Sequence, residues 1–151
     1  MTITDGKNYI NEVRDLIREY TGRLGRDLTF QKLDDELDDP AKKYLPPAGE
    51  LLVAIDGGKV VGMVAYHKHS PARCEMKRLY VKPECRGKDV GRALAEAIIE
   101  KARSDGFSEM VLDTLKPMHA AIGLYRSLGF EECEPYYANP MPDVIYMKKH
   151  L

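Results

Sequence analysis

The segment from Glu75 to Ser104 constrains the fold of this 151-residue chain more than any other part. It opens with a β-rich run that ends before Pro83, continues through a loop of glycines and cations, and becomes an alanine-rich helical pattern at Val90. A second β-rich run, EMVLDTL, follows the helix. Two neighbouring strands that are joined through a helix run parallel to each other. The sequence therefore predicts a mixed α/β sheet with at least one parallel pair.

The remaining patterns predict elements on both sides of this segment. Apolar residues at three- and four-residue steps predict a helix over 8–24, and LTFQKLDDELDDP predicts a second short helix closed by Pro40, with KKYLPPAGE as a loop. The turn residues 56–58 join two β-rich runs as a hairpin. A helix over Met118–Leu128 and a strand within DVIYMKKHL follow. We interpret residues 1–151 as a single domain with two helices, three strands, a helix, a strand, a helix and one or two closing strands.

Charge and cysteine usage narrow the function classes. Lys+Arg 23 nearly balance Asp+Glu 24, so the chain has no overall field that would attract nucleic acid or an anionic membrane. No apolar run approaches the roughly 20 residues of a membrane span, and the polar start MTITDGKNYINEVRDL predicts no signal peptide. Cys74, Cys85 and Cys133 lack paired spacing, which favours reduced thiols over a disulfide framework or a zinc site. We expect a cytoplasmic protein without a metal. The sequence leaves open whether the protein forms a homodimer.

The loop CRGKDVGRAL, at residues 85–94, predicts a binding site for an anion. Arg86, Lys88 and Arg92 supply positive charge, and the helix that follows presents free backbone amides at its N-terminus. The Walker pattern and G-x-G-x-x-G are both absent, so nucleoside triphosphates and dinucleotides lack their signatures. Other phosphate-bearing ligands fit the loop. The alternative is a solvated turn in which Asp89 caps the helix.

Two stretches resemble the GNAT superfamily of acyl-CoA N-acyltransferases. MKRLYVKPECRGKDVGRALAEAIIEKA is similar to the acetyl-CoA-binding region, whose loop pattern is [QR]-x-x-G-x-[GA], and Arg86 and Gly91 match its outer positions. AAIGLYRSLGFEE is similar to the second signature, in which a helix carries L-Y-x-x-x-G-F before a strand. The resemblance covers most of the chain from Leu51 onward. It implies a GNAT-like fold, with a mixed central sheet flanked by helices, and an N-acetyltransferase that uses acetyl-CoA.

The resemblance also implies where acetyl-CoA lies. Asp89 stands where the family pattern has its first glycine, and we expect its carboxylate to compete with phosphate for the helix amides, which would weaken cofactor binding without abolishing it. Met118 also departs from the family, because many members carry an asparagine there that faces the pantetheine. The pantetheine would run like an extra strand beside Leu79, Tyr80 and Val81. The pyrophosphate would bind the loop and the helix start, at Arg86, Gly87, Lys88, Asp89, Val90, Gly91 and Arg92.

Two residues fit the chemistry of direct acetyl transfer, which needs a base for the amine proton and an acid for the departing thiolate. Glu75 resembles the glutamate base of some GNAT members. Tyr125 is the tyrosine of the second signature, which in relatives lies near the sulfur as the acid. The alternatives are a surface strand carboxylate for Glu75 and a core tyrosine with a satisfied hydroxyl for Tyr125. Retention of both residues favours an enzyme over a non-catalytic acyl-CoA-binding module.

The amine acceptor is less well defined by the sequence. The loop EPYYANPMPD puts Tyr136, Tyr137 and Asn139 where relatives often bind the acceptor, and the acidic DDELDD would attract a cationic amine. We expect a small-molecule or amino-acid-like primary amine first, and a protein lysine or N-terminal amine second. His67 and His69 alternate on one strand face, but without a third ligand they predict exposed histidines rather than a metal site.

Overall fold

The computed structural model describes residues 1–28 and 32–151. Its strands are β1 (Thr2–Asp5), β2 (Gly49–Asp56), β3 (Lys59–Lys68), β4 (Arg73–Val81), β5 (Glu109–Leu115), β6 (Glu131–Glu132) and β7 (Val144–His150). Its helices are α1 (Ile10–Leu24), α2 (Leu33–Asp38), α3 (Pro40–Tyr44), α4 (Val90–Ser104) and α5 (His119–Ser127), and a 3-10 turn, Pro83–Cys85, follows β4. In these two ranges no helix is long and apolar enough to cross a membrane.

The strands form one sheet in the order β1-β2-β3-β4-β5-β7-β6. β4 and β5 run parallel, and the other neighbouring pairs are antiparallel. The helix α4 makes the connection between the two parallel strands, because it lies between them in the chain. The mixed α/β sheet predicted from the sequence is therefore confirmed.

The two faces of the sheet pack against different helices, because successive strand residues point to opposite sides. Leu51 of β2 belongs to an apolar cluster with Ile17 of α1, and this cluster includes no residue of α4. Ala54, three residues further along β2, belongs to a second cluster with Leu94 and Ile98 of α4. The sheet is thus covered by α1 on one face and by α4 on the other.

The structure differs from the sequence prediction within the first 50 residues. Strand β1 was not predicted, because its four residues are too few to give an alternating pattern. Pro40 begins α3 instead of only closing the preceding helix, since the first helical position needs no backbone N–H. The predicted loop KKYLPPAGE is consequently helical as far as Tyr44. Residues 29–31 of the predicted acidic helix lie outside the described residues.

The parallel strands β4 and β5 separate soon after they meet. They pair only over 73–75 of β4 and 109–111 of β5. β4 then continues to Val81 and β5 to Leu115 without further pairing between them. A bulge against β3 bends β4 in this part, where Arg78 has a φ of 57°. The result is a wedge-shaped gap in the sheet, bordered by one unpaired backbone edge of each strand.

Candidate active site

A cavity of about 1000 Å³ fills the gap between β4 and β5, and we call it the large cleft. Its walls are residues 76–81 of β4, residues 112–115 of β5, the loop before α4, and residues from 117 to 125 around α5. The end of α1 lines it as well. Unpaired strand edges bind extended ligands through main-chain hydrogen bonds. The large cleft can therefore recognise a long, flexible molecule mainly through backbone groups.

Most of the residues predicted to bind the cofactor come together in the large cleft. Lys88 is the exception, because it is exposed and lies outside the lining. Arg86 donates from Nε to the carbonyl of Val81 at 3.1 Å, and Arg92 donates to the Ser127 hydroxyl at 2.8 Å, so both guanidinium groups are held at the rim. The cofactor-binding role of the group stays a prediction. The members that line the cleft are Leu79, Tyr80, Val81, Arg86, Gly87, Asp89, Val90, Gly91 and Arg92.

Asp89 precedes the first residue of α4, but its side chain makes no capping hydrogen bond. The expected capping contact between this carboxylate and the helix amides is therefore absent from this structure, and the expected weakening of cofactor binding by its charge stays a prediction. The reason lies in the backbone, because Asp89 has φ 57° and ψ 20°, whereas a capping residue normally has an extended conformation. This left-handed conformation suits glycine, which is the residue that the GNAT pattern has there. The amides at the start of α4 are consequently free of the Asp89 side chain.

Two glycines of the large cleft, Gly91 and Gly123, are not required by packing within the protein. A Cβ atom at Gly91 would meet only Val81 Cγ2 at 3.8 Å, and one at Gly123 of α5 would meet nothing within 4 Å. Both glycines line the cleft. Small residues that face open space let a ligand approach the backbone closely. Their position favours a bound ligand over a structural explanation.

Tyr125 lies on α5 with its ring edge-on to Phe130, at a centroid distance of 5.9 Å. It is buried, with 8% of its surface exposed, and it still lines the large cleft. Burial raises the pKa of its hydroxyl, so the group is protonated at neutral pH. Met118, which departs from the family pattern, lines the same cleft and accepts a hydrogen bond from Thr114 at 3.8 Å.

Glu75 lies apart from the lining of the large cleft, in a smaller cavity of about 250 Å³ that we call the small pocket. One of its carboxylate oxygens accepts a hydrogen bond from His69 Nε2 at 2.9 Å, and the other accepts one from the Tyr136 hydroxyl at 2.7 Å. Burial raises the pKa of Glu75, but the His69 hydrogen bond, the charge of Lys77 and the Tyr136 hydrogen bond together lower it to about 2. Glu75 is therefore a fully ionised carboxylate with both oxygens occupied.

His67, on β3, and His69, in the turn after it, have different surroundings. His67 Nδ1 lies 3.2 Å from the Lys43 carbonyl oxygen, whereas His69 contacts Glu75 and the Tyr136 ring. His69 is exposed, as predicted, but its ring also contacts Glu75, whereas His67 is half-buried, so the prediction of an exposed side chain is wrong for His67. Within 1–28 and 32–151 there is no group of three or more His, Cys, Asp or Glu side chains that could hold a metal ion.

The C-terminal loop 134–143, which we call the tyrosine loop, reaches a carboxylate that was not predicted from the sequence. Asp113 of β5 lines the large cleft and accepts hydrogen bonds from the Tyr137 hydroxyl and, at 3.2 Å, from Asn139 Nδ2. The signal in the sequence was a charged residue within the buried strand EMVLDTL. Tyr137 also lines the small pocket. The loop thus connects the two cavities.

The acidic stretch DDELDD is only partly a surface feature. Glu36 of α2 is 3% exposed and forms a two-point ion pair with Arg78 of β4, with distances of 2.9 and 3.1 Å. Lys43 of α3 adds a third contact to Glu36 at 3.3 Å. The prediction that the whole stretch attracts a cationic amine is therefore wrong for Glu36, because that carboxylate is buried and already paired with cations of this chain.

The comparisons with known proteins agree with this architecture. The family model described as "Acetyltransferase (GNAT) family" matches residues 10–130, and the chain belongs to this family. It is 49% identical over 144 residues to an uncharacterized N-acetyltransferase of Schizosaccharomyces pombe, covering 94% of this chain and 88% of that protein. It spans only 37% to 58% of the length of six other curated N-acetyltransferases that it matches.

Solved structures show the same fold. An acetyltransferase from Streptococcus agalactiae superposes with a TM-score of 0.81 at 24% identity, covering 99% of this chain and 98% of that one. An aminoglycoside 6'-N-acetyltransferase in complex with coenzyme A superposes with a TM-score of 0.75 at 18% identity, covering 99% and 97%. At these identities the likeness concerns the fold alone. The predicted GNAT fold is confirmed.

Proposed function

We propose that this protein transfers an acetyl group from acetyl-CoA to the primary amine of a small-molecule or amino-acid-like acceptor, directly within a ternary complex. The observation that carries the proposal is the large cleft, where an unpaired strand edge leads to a helix N-terminus with free amides. The pantetheine amides would pair with the strand edge, and the pyrophosphate would bind the helix start. The coenzyme A complex of the aminoglycoside relative supports the same class of ligand.

The proposed reaction forms a C–N bond and breaks a C–S bond. The lone pair of the neutral amine attacks the thioester carbonyl carbon, and the electron pair of the C–S bond leaves on the sulfur. The thiolate then needs a proton. Tyr125 supplies it in this proposal, because it lines the cleft and its hydroxyl carries a proton at neutral pH; burial raises the pKa of that hydroxyl and so makes it a weak acid. The proton lost by the amine needs an acceptor on the other side.

Glu75 and His69 form the proton-accepting pair in this proposal. A carboxylate with a pKa of about 2 is a weak base by itself, since efficient bases titrate near the working pH. Ionised Glu75 can only accept, so His69 Nε2 carries the hydrogen that joins them. The Nδ1 atom of that tautomer then holds a lone pair and takes the amine proton, directly or through one water. Glu75 orients the ring and stabilises the imidazolium that forms.

A non-catalytic acyl-CoA-binding module is the second candidate. The observation that favours it is the environment of Glu75, whose two oxygens already accept hydrogen bonds and whose pKa is lowered to about 2. Such a carboxylate takes up a proton poorly at neutral pH. Such a protein would bind acetyl-CoA in the large cleft and leave the thioester intact.

Release of free thiol in the presence of acetyl-CoA tests the two candidates. The acceptors to be compared are simple primary amines, amino acids and short peptides with a free N-terminus or lysine. Thiol release that depends on an amine supports the enzyme, and a preference for peptides would move the acceptor to the protein class. Saturable binding of acetyl-CoA without amine-dependent thiol release across the panel would support the non-catalytic binding module. Absence of acetyl-CoA binding would contradict both.

A further inference from the structure

The small pocket carries more positive than negative charge. It is bounded by the end of β3, the start of β4 and the tyrosine loop, and Lys77 lines both this pocket and the large cleft. Its volume of about 250 Å³ is below the roughly 300–1,000 Å³ of a pocket that holds a whole small molecule, so it fits one part of a ligand. The residues that line it are Lys32, Lys43, His69, Glu75, Lys77, Tyr136 and Tyr137.

The carboxylates near the pocket are already used by other groups. Glu36 is the partner of Lys43, but it is also the two-point partner of Arg78. Glu75 lies 3.8 Å from the Lys77 ammonium, a long contact, and its oxygens accept hydrogen bonds from His69 and Tyr136. Three cations, Lys43, Lys77 and Arg78, thus share the carboxylates of Glu36 and Glu75, and Lys32 adds a further positive charge. The cluster has an excess of positive charge.

The excess charge is poorly solvated. The Lys77 side chain is 9% exposed and that of Lys43 is 25% exposed. Burial lowers the pKa of Lys43, and the neighbouring charge of Lys77 lowers it further. Two ammonium groups that repel each other with little water between them are costly unless an anion joins them. The arrangement therefore suits an oxyanion placed between Lys43 and Lys77.

The groups around the small pocket indicate how a molecule with such an anionic group would be oriented. Asp113 lies behind Tyr137, on the side of the large cleft, and its negative charge favours an ammonium group there. A molecule with an anionic group at the lysines would extend its amine past Lys77 and Tyr137 toward the cleft. His69 borders the same pocket. The two charges of the acceptor would then match the two ends of the cavity.

We propose that the small pocket binds a carboxylate or phosphate group of the acceptor, held by Lys43 and Lys77, so that the acceptor is an amine that also carries an anionic group. This inference rests on the proposed acetyltransferase function and narrows its acceptor class. It excludes simple amines such as alkylamines as preferred substrates. Free amino acids and aminoalkyl phosphates both have the required chemistry.

Matched acceptors test the anionic group. Each amino acid of the panel is compared with its amide, which keeps the amine and loses the charge, and phosphoethanolamine is compared with ethanolamine. We expect kcat/KM to be at least about tenfold higher for the charged member of the preferred pair, mainly through KM, since a charge-assisted contact is lost in the other. A preference within an amino acid and amide pair identifies a carboxylate as the anionic group. A preference within the phosphoethanolamine and ethanolamine pair identifies a phosphate. Equal rates within every pair would overturn the proposal.

Two variants test the pocket itself. In Lys43→Met and Lys77→Met the preference for the charged acceptor over its uncharged counterpart, measured within each variant, should fall to within about threefold, because each variant removes one cation from the site. Lys59→Met removes the same charge from the exposed first residue of β3 and should keep the preference. Thermal unfolding identifies variants that do not fold, and one folded variant of the two suffices. A preference that persists in a folded variant would contradict the assignment.

A second readout separates this inference from the proposed function. The complex with coenzyme A is titrated with the same acceptor pairs, and binding is measured without turnover. Tighter binding of the charged member, lost in the lysine variants, supports the pocket even if no acetyl transfer is detected. Acetylation of uncharged amines, with no advantage of charged ones in either readout, would keep the enzyme and overturn the pocket.

Discussion

The large cleft and the small pocket both include Lys77 in their lining, but different kinds of chemical group form the two cavities. The large cleft is formed by unpaired strand edges, glycines that face open space and a helix N-terminus, so its recognition groups belong mainly to the backbone. The small pocket is formed by lysines, a histidine, a glutamate and tyrosines that contact one another. Backbone groups stay in place when a side chain changes. The two cavities should therefore respond very differently to substitution.

The largest expected effect concerns the buried ion pair behind the small pocket. In Glu36→Gln the Arg78 guanidinium stays buried and loses its charged partner, which should lower the free energy of unfolding by about 3–5 kcal/mol. Urea unfolding followed by circular dichroism measures the change. Asp35→Asn, at an exposed position of the same helix, is the control and should change stability by less than about 0.5 kcal/mol. A loss below 1 kcal/mol for Glu36→Gln would mean that water compensates Arg78.

The second prediction tests the chemistry of the small pocket. Glu75→Gln and His69→Gln should each lower kcat by about 100-fold, because either change removes the proton-accepting pair. The dissociation constant of acetyl-CoA should stay within twofold, since neither residue lines the large cleft. Steady-state kinetics and titration calorimetry give the two values, with His150→Gln on the exposed end of β7 as control. A near-native kcat in His69→Gln would contradict the role of His69 as the proton acceptor and would leave Glu75 alone as the base.

The same contrast explains how much the sequence could predict. Backbone recognition leaves a local pattern, so the strand, the loop and α4 were predicted from one continuous segment, and nine of the ten proposed cofactor residues line one cleft. The small pocket combines residues from α3, the β3–β4 turn, β4 and the tyrosine loop, which only the folded chain brings together. His69 and Lys77 were therefore missed as partners of Glu75. The left-handed backbone at Asp89 also has no signature in a residue that normally caps helices.

The third prediction concerns the proton donor in the large cleft. Tyr125→Phe should lower kcat about tenfold, less than the base variants, because a thiolate whose thiol has a pKa of roughly 8.5 leaves without complete protonation. Since only a hydroxyl is removed, the melting temperature should change little. Tyr66→Phe removes a hydroxyl that binds Asp105 far from the cleft, and should leave kcat unchanged. An unaltered kcat in Tyr125→Phe would leave this tyrosine as a packing residue against Phe130.

The smallest expected effect concerns Asp89, where the large cleft departs from its family pattern. Because Asp89 does not cap α4, replacing it by glycine costs no hydrogen bond and relieves a left-handed conformation that favours glycine. The change also removes a negative charge beside the proposed pyrophosphate site. Acetyl-CoA should bind Asp89→Gly about three- to tenfold more tightly, and the gain should shrink as salt screens the charges.

Asp89→Asn separates the two causes of that gain. Asparagine loses the charge and still tolerates the left-handed conformation, so it should reproduce most of the effect if the charge is responsible. Titration calorimetry of the three proteins with acetyl-CoA, and with pantetheine as the ligand that lacks the pyrophosphate, measures each contribution. Pantetheine affinity should be the same in all three. If both variants strengthened pantetheine as much as acetyl-CoA, Asp89 would not face the pyrophosphate, and the cofactor would enter the large cleft in another orientation.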